Sequence, residues 1–108
     1  MTIKLPQIIH DYLNASNAHD VKSILASFSE TAAVHDEGQT LDGKKAIEEW
    51  IVRTIEKYKF QFKPLSVKDK DEEIVVEVAV SGTFDGSPVT LDYHFAVEDG
   101  KITSLAVG

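Results

Sequence analysis

The spacing of apolar residues changes halfway along this chain, and this change constrains the fold more than any other feature. In most of the first half, up to Tyr58, apolar residues recur at the spacing of one side of an α-helix, about every 3.6 positions. From Phe60 onward they alternate with polar residues, as on one face of a β-strand. Helices followed by strands that short turns connect favour an α+β fold over a parallel α/β sheet.

Three helices are predicted in the first half. The first has Pro6 in its opening turn, where the missing N–H costs nothing, and an apolar stripe of Leu5, Ile8, Ile9, Tyr12, Leu13 and Ser16. The second is short, starts after the N-cap Asp20, and carries Val21, Ile24, Leu25 and Phe28 on one face. The third opens at Asp42-Gly43 and buries Ala46, Ile47, Trp50, Ile51, Thr54, Ile55 and Tyr58.

The remaining segments are predicted as strands and turns. A short strand covers 32–36, and the polar segment 37–42 reads as a loop. Alternation predicts strands from residue 60 toward 67, over 74–84, over 89–97 and over 102–107. Charged residues at 68–72 and 98–101 predict turns, and Asp85-Gly86 is a strong hairpin signal.

Length and charge limit the classes of partner. The 108 residues fit a single domain spanning 1–108. The net charge of −7 argues against nucleic acid and against anionic membranes as partners. Cysteine is absent, which excludes disulfides and thiolate ligands. Neither a signal peptide nor a membrane-spanning run is visible, so we expect a cytoplasmic protein.

Asp36 is the residue with the greatest chemical interest. It ends the short predicted strand and shares a face with Val34, two positions earlier. If that face lines a pocket, desolvation would make the carboxylate a general base near neutral pH. The alternative is that Asp36 begins the polar loop and faces water.

Two tyrosines lie among apolar residues. Tyr12 belongs to the stripe of the first helix, and Tyr93 alternates with apolar residues in a predicted strand. A buried phenol needs a hydrogen-bond partner. That partner is either a ligand oxygen or a backbone carbonyl, and the spacing alone leaves both alternatives open.

The four histidines, His10, His19, His35 and His94, give little support for a metal site. A site formed by His35 and His94 is conceivable, but no HxH or HxxxH spacing supports it. Strand alternation predicts that His35 points away from Asp36, and His94 away from Tyr93. Motifs of nucleotide-binding loops and serine hydrolases are also absent from the sequence.

Four segments carry a family resemblance: YLNASNAHD at 12–20, ILASF at 24–28, VHD at 34–36 and DGKKAI at 42–47. Together with the order of elements, they resemble the NTF2-like superfamily, and more closely its SnoaL-like branch, which includes polyketide cyclases and ketosteroid isomerases. The resemblance implies a cone-shaped fold, in which three N-terminal helices pack on a curved, mostly antiparallel sheet that encloses a pocket.

The resemblance also implies site residues. The general base of the isomerases corresponds to Asp36, and their oxyanion donor on the first helix corresponds to Tyr12. Their second donor is a protonated aspartate, and Tyr93 stands in its place here. Pocket walls would come from Val34, Trp50, Phe60 and Phe95. Neither a cofactor nor a metal is required.

The leading hypothesis is therefore an isomerase- or cyclase-like enzyme that acts by proton transfer on a small apolar carbonyl compound. The rival is a non-catalytic module with the same pocket, which binds a small ligand or serves as a dimeric interaction domain. A third possibility, dehydration assisted by a histidine paired with an acid, needs His35 or His94 in the cavity. We also expect a homodimer through the outer face of the sheet, at Asp92, His94 and Ala96.

Overall fold

The computed structural model describes residues 5–36, 38–70 and 72–108. Met1–Lys4, Glu37 and Asp71 lie outside the described residues. Three parts of the predictions fall on these residues and therefore also lie outside the described residues. They are the start of the chain, the first residue of the polar loop and one residue of the charged turn at 68–72.

The three predicted helices are present. They are α1 (Gln7–Asn17), α2 (Val21–Ala26) and α3 (Gly43–Tyr58). Asp20 caps α2 as predicted, because its carboxylate accepts a hydrogen bond from the Ser23 backbone N–H at 3.2 Å. Lys59 follows α3 as its C-cap, and its left-handed backbone (φ 47°) turns the chain into the first strand of the second half.

Six strands form one mixed sheet. They are β1 (Phe28–Asp36), β2 (Gln39–Asp42), β3 (Gln61–Lys70), β4 (Glu73–Ser81), β5 (Val89–Glu98) and β6 (Lys101–Val107). The order across the sheet is β2-β1-β6-β5-β4-β3. The β1–β6 pair is parallel and the other pairs are antiparallel.

Two predictions about the region around β1 were wrong. Phe28 does not continue the face of α2. It begins β1, where it pairs with Ile102 and is completely buried. The predicted loop 37–42 contains the strand β2, which Gly38 (φ +74°) connects to β1. The prediction missed β2 because it is a short edge strand whose side chains are mostly exposed, so it lacks an apolar alternation.

Two strand ends also differ from prediction. β3 runs on to Lys70, three residues into the predicted charged turn, because it is an edge strand that tolerates charge. β4 stops at Ser81 instead of reaching Phe84. Beyond it, a Cβ atom on Gly82 would lie only 2.3 Å from the Tyr58 carbonyl oxygen, so the chain passes close against the end of α3. A loop over 82–88 replaces the tight hairpin.

The helices pack on one face of the sheet, which we call the inner face. α3 lies against β1 and β2, α1 reaches β3 and β6, and α2 contacts both other helices and β1. Only α1 and α2 precede the sheet in sequence, since α3 follows β2. The largest completely buried side chains of this core include Tyr12, Phe28, Ile47, Val34, Phe95, Ile102 and Leu105.

Candidate functional site

A cavity of about 220 Å³ lies between the inner face of the sheet and the helices. Most of its wall is aliphatic or aromatic, and polar side chains enter it at only a few points. The lining residues are Tyr12, Ser16, Ile24, Asp36, Trp50, Ile51, Thr54, Tyr58, Phe60, Phe62, Val80, Phe84, Val89, Leu91, Tyr93 and Val107.

Asp36 contributes a carboxylate to this wall. It ends β1 and, by strand alternation, lies on the same inner face as the completely buried Val34. The Trp50 indole N–H, on the neighbouring helix α3, donates a hydrogen bond to its Oδ2 atom at 2.9 Å. Asp36 is half-buried and belongs to the cavity, in contrast to the alternative in which it only begins a solvated loop.

Tyr12 enters the same cavity from α1. Its ring is 2% exposed and packs edge-on against Phe28 and Phe95, at centroid distances of 5.7 and 5.6 Å. Burial raises the pKa of the Tyr12 phenol well above its ordinary value, and the negative charge of Asp36 raises it further. The Ser16 hydroxyl lowers this pKa, but its effect is smaller than that of burial. The phenol therefore stays protonated at neutral pH and can donate a hydrogen bond.

Tyr93 is placed on β5, opposite Val107 of β6, and is 5% exposed. Burial raises the pKa of its phenol well above the ordinary value, and the nearby Tyr12 and Asp36 reinforce the rise. The two phenols and the carboxylate are thus close enough to influence one another electrostatically. The apolar wall of the cavity thus carries two neutral phenols and one carboxyl group.

The other predicted site residues divide into two groups. Trp50 and Phe60 line the cavity, and Phe60 stacks on Phe62 with ring centroids 4.5 Å apart. Val34 and Phe95 are completely buried in the core and are not among the lining residues. Contact of these two with a ligand stays a prediction.

Asn17, the last residue of α1, and His19, two positions later, hold the aromatic wall in place. The Asn17 side-chain amide donates to the Phe62 carbonyl oxygen at 2.9 Å and accepts from the Phe62 N–H at 2.6 Å. His19 contacts the Phe60 carbonyl oxygen through Nε2 at 2.7 Å. The sequence indicates this anchor only through the polar residue Asn17, which directly follows the end of the first apolar stripe at Ser16.

Tyr58 and Phe84 were not predicted as a pair, yet both line the cavity. Their rings meet edge-on with centroids 5.8 Å apart. The Thr83 backbone N–H donates to the Tyr58 carbonyl oxygen at 2.8 Å and ties the loop 82–88 to the end of α3. Sequence analysis assigned Phe84 to a strand, so it gave no indication of this contact.

A second and more open hollow lies beside Asp36, at the β1–β2 turn. Its volume is about 340 Å³, and its described lining residues are His35, Asp36, Gly38, Gln39, Thr40, Ala106 and Val107. His35 points away from the apolar cavity, as predicted, and its Nδ1 atom contacts Thr40 Oγ1 at 3.0 Å. Asp36 and Val107 line both spaces.

His94 lies outside the apolar cavity, on the outer face of the sheet, where it is paired with Glu73.

Within residues 5–36, 38–70 and 72–108, no group of three or more His, Cys, Asp or Glu side chains is arranged to hold a metal ion. Within the same ranges, none of the helices has the length and apolar character needed to cross a membrane.

Known structures share this fold. A protein from Sinorhizobium meliloti, provisionally assigned as a polyketide cyclase, is 35% identical and superposes with a TM-score of 0.93, covering 96% of this chain and 95% of its own. A protein from Catenulispora acidiphila with a ketosteroid isomerase-like fold, in complex with trimethylamine, is 17% identical with a TM-score of 0.84, covering 97% and 86%.

The epoxide hydrolase/cyclase-like enzyme SalBIII, which acts in pyran ring formation in the polyether salinomycin, is 21% identical with a TM-score of 0.82, covering 94% and 86%. No curated protein sequence is significantly similar to the chain. The sequence profile of the SnoaL-like domain family matches residues 9–105. The chain therefore belongs to the SnoaL-like domain family, as its sequence motifs predicted.

Proposed function

We propose that this protein is an isomerase- or cyclase-like enzyme that transfers a proton on a small, largely apolar carbonyl compound. One observation carries the proposal: Asp36, Tyr12 and Tyr93 come from three separate elements and line one apolar cavity. The assignment of the Sinorhizobium meliloti relative and the cyclase-like activity of SalBIII support the same class of reaction.

In the proposed mechanism, Asp36 removes a proton from the carbon next to the carbonyl group. The electron pair of the C–H bond forms a C=C bond, and the carbonyl π electrons move to oxygen, giving an enolate. Tyr12 and Tyr93 donate hydrogen bonds to that oxygen, which stabilises charge that is absent from the ground state. In a β,γ-unsaturated substrate the enolate is conjugated with the neighbouring C=C bond, and the protonated Asp36 returns the proton to the γ-carbon of this dienolate, which shifts the double bond. In a cyclisation, the enolate carbon attacks a second carbonyl carbon of the same molecule, and the π electrons of that carbonyl move to its oxygen, which takes the proton from Asp36.

The size and polarity of the cavity set the class of substrate. At about 220 Å³ it exceeds the apolar cavity of about 150 Å³ that holds one benzene molecule in an engineered protein. One aromatic ring, alone or fused to a second small ring, fits this space. The wall residues are predominantly apolar, so the ligand carries its carbonyl group as its main polar feature.

The test is exchange of the α-protons of small cyclic ketones in deuterated water, followed by NMR. This readout detects proton removal without knowledge of the natural product. We expect the wild-type protein to accelerate the exchange and Asp36→Asn to lose about 10²–10⁴-fold of that acceleration. The matched control is Asp42→Asn, since Asp42 is exposed and its side chain does not cap α3. Equal rates for wild type and Asp36→Asn would refute the proposal.

The rival function is binding without chemistry. Its support is the predominantly apolar wall, together with a relative of the same fold that was crystallised with a small bound molecule. Binding and exchange separate the two functions. A ketone that binds the wild-type protein, measured through the fluorescence of the single tryptophan Trp50, while its protons do not exchange faster than in buffer would favour the binding module.

We further propose a homodimer through the outer face of the sheet. This face presents small side chains on adjacent strands, as in the pair Ala96–Ser104, with His94 beside them. Val75 also lies there and is only 9% exposed, although it does not belong to the core cluster. Sedimentation at micromolar concentration is expected to give a dimer, and Ala96→Arg is expected to dissociate it. A wild-type monomer would contradict this proposal.

A further inference from the structure

We propose that the hollow at the β1–β2 turn is a second subsite, which binds a neutral polar substituent, a hydroxyl or amide group, of the same ligand whose ring fills the apolar cavity. This inference rests on the proposed function, because it assumes that the ring of the ligand lies beside Asp36. The inference adds a second polar group to the expected ligand, since a simple ketone without one would already fit the apolar cavity.

The partly exposed residues of the cavity wall mark the side on which part of a bound ligand could extend out of the cavity. Most lining residues are buried, and the partly exposed ones are Asp36, Tyr58, Phe84, Val89, Leu91 and Val107. These residues lie at the ends of β1, β6 and α3, at the start of β5 and in the loop before it. Asp36 thus belongs to the rim of the cavity, whereas Tyr12 is buried within it.

The parallel pairing of β1 with β6 joins this rim to the second hollow. His35 pairs with Ala106, so Asp36 and Val107 follow as neighbours at the ends of the two strands. Both residues line the apolar cavity and the hollow. His35 and Ala106 precede them on the opposite side of the strands and line the hollow only. The hollow and the cavity therefore adjoin each other at Asp36 and Val107, at the end of the sheet.

The walls of the hollow differ chemically from those of the cavity. Gln39 and Thr40 provide an amide and a hydroxyl group, and His35 provides an imidazole ring. The contact between His35 Nδ1 and Thr40 Oγ1 leaves Nε2 as the ring nitrogen that can meet a ligand. These groups can donate to and accept from a hydroxyl or an amide.

The charge of Asp36 selects against an anionic substituent. A ligand carboxylate or phosphate in the hollow would lie beside the Asp36 carboxylate, and like charges in a partly desolvated site repel each other. The net charge of −7 acts in the same direction at long range. The substituent that fits is therefore polar and uncharged.

The experiment compares 2-tetralone, a bicyclic ketone, with its four isomers that carry one hydroxymethyl group on the aromatic ring. Affinities come from titrations of Trp50 fluorescence. We expect at least one isomer to bind the wild-type protein about three- to tenfold more tightly than 2-tetralone, the gain that one or two net hydrogen bonds provide. The double variant Gln39→Ala/Thr40→Val should lose this gain and keep its affinity for 2-tetralone.

The control variant is Thr90→Val, on an exposed position of β5 that is not part of either space. It should keep the full gain. The inference alone is overturned if 2-tetralone binds but no isomer binds more tightly, or if the gain survives in the double variant. If neither 2-tetralone nor any isomer binds, the ligand class of the proposed function fails, and the inference fails with it.

Discussion

The indole N–H of Trp50 donates a hydrogen bond to a carboxylate oxygen of Asp36 across 2.9 Å. The two residues lie 14 positions apart, on α3 and at the end of β1. Because both side chains also line the cavity, the bond fixes the direction of the carboxylate relative to a bound ligand. Trp50 is therefore a positioning residue for the proposed base, in addition to its part in the wall.

Trp50→Phe tests this positioning role. The variant keeps an aromatic ring and removes the N–H, so we expect α-proton exchange to slow about 10- to 100-fold while the affinity for the ketone, measured by NMR titration because the variant lacks tryptophan, changes little. In a double-mutant cycle, Trp50→Phe should have no further effect once Asp36 is Asn, because its contribution acts through the carboxylate. Additive losses in the cycle would show that Trp50 acts only through packing.

Tyr12→Phe and Tyr93→Phe test the oxyanion donors. Each variant removes one hydroxyl from the cavity, and the loss of one donor to a developing oxyanion costs about 10²–10³-fold in rate. We expect such a loss in exchange rate for at least one of the two, with a smaller effect on ketone affinity. If both variants exchange protons at the wild-type rate, the phenols are core residues only.

The same tyrosines predict alkaline instability. The pKa of each phenol is raised in the folded state relative to its ordinary value of 10.0, so above that pH the unfolded chain releases these protons first. Stability is then complete below about pH 10 and falls as the pH rises further, by up to ~1.4 kcal/mol per pH unit for each phenol.

Urea unfolding between pH 9 and pH 11, in steps on the order of half a unit, measures this loss. Tyr12→Phe and Tyr93→Phe should each flatten the decline of the free energy of unfolding above about pH 10. An equal decline in wild type and both variants would assign the alkaline instability to other groups.

Asn17→Ala tests the anchor between α1 and β3. The change removes the side-chain amide that bonds both the N–H and the carbonyl group of Phe62, so we expect a loss of about 1–3 kcal/mol in the free energy of unfolding. Asn14→Ala is the control, because Asn14 is exposed and its side chain bonds the exposed His10 ring on the same helix. Equal stability losses for the two variants would contradict the anchor.

Apolar periodicity predicted the parts of the fold whose residues are buried on one side. The stripes that contain Tyr12 and Trp50 become α1 and α3, and the alternation through Val76 and Tyr93 becomes β4 and β5. β2 carries mostly exposed polar side chains, so its pairing with β1 leaves no trace in apolar spacing. The end of β4 could not be predicted from apolar spacing either, because it depends on the contact of Gly82 with Tyr58, far away in sequence.

The candidate site shows the same division. Strand alternation correctly put Asp36 on the face of Val34, and the helical stripe correctly put Tyr12 inside. Spacing could not bring those two together with Tyr93, because that requires the order of strands in the sheet. Only the family resemblance suggested it. The second hollow depends on the parallel register of β1 and β6, which no local pattern records.

That register also makes β6 the strand that joins two parts of the sheet. β6 separates β1 and β2 from the other three strands and forms the only parallel pair among the described strands. The β1–β6 pair connects strands that lie far apart in sequence, and such pairs form slowly because closing the long intervening loop costs entropy. Until β6 pairs on both sides, a folding chain would expose unpaired edges of β1 and β5, which are templates for aggregation.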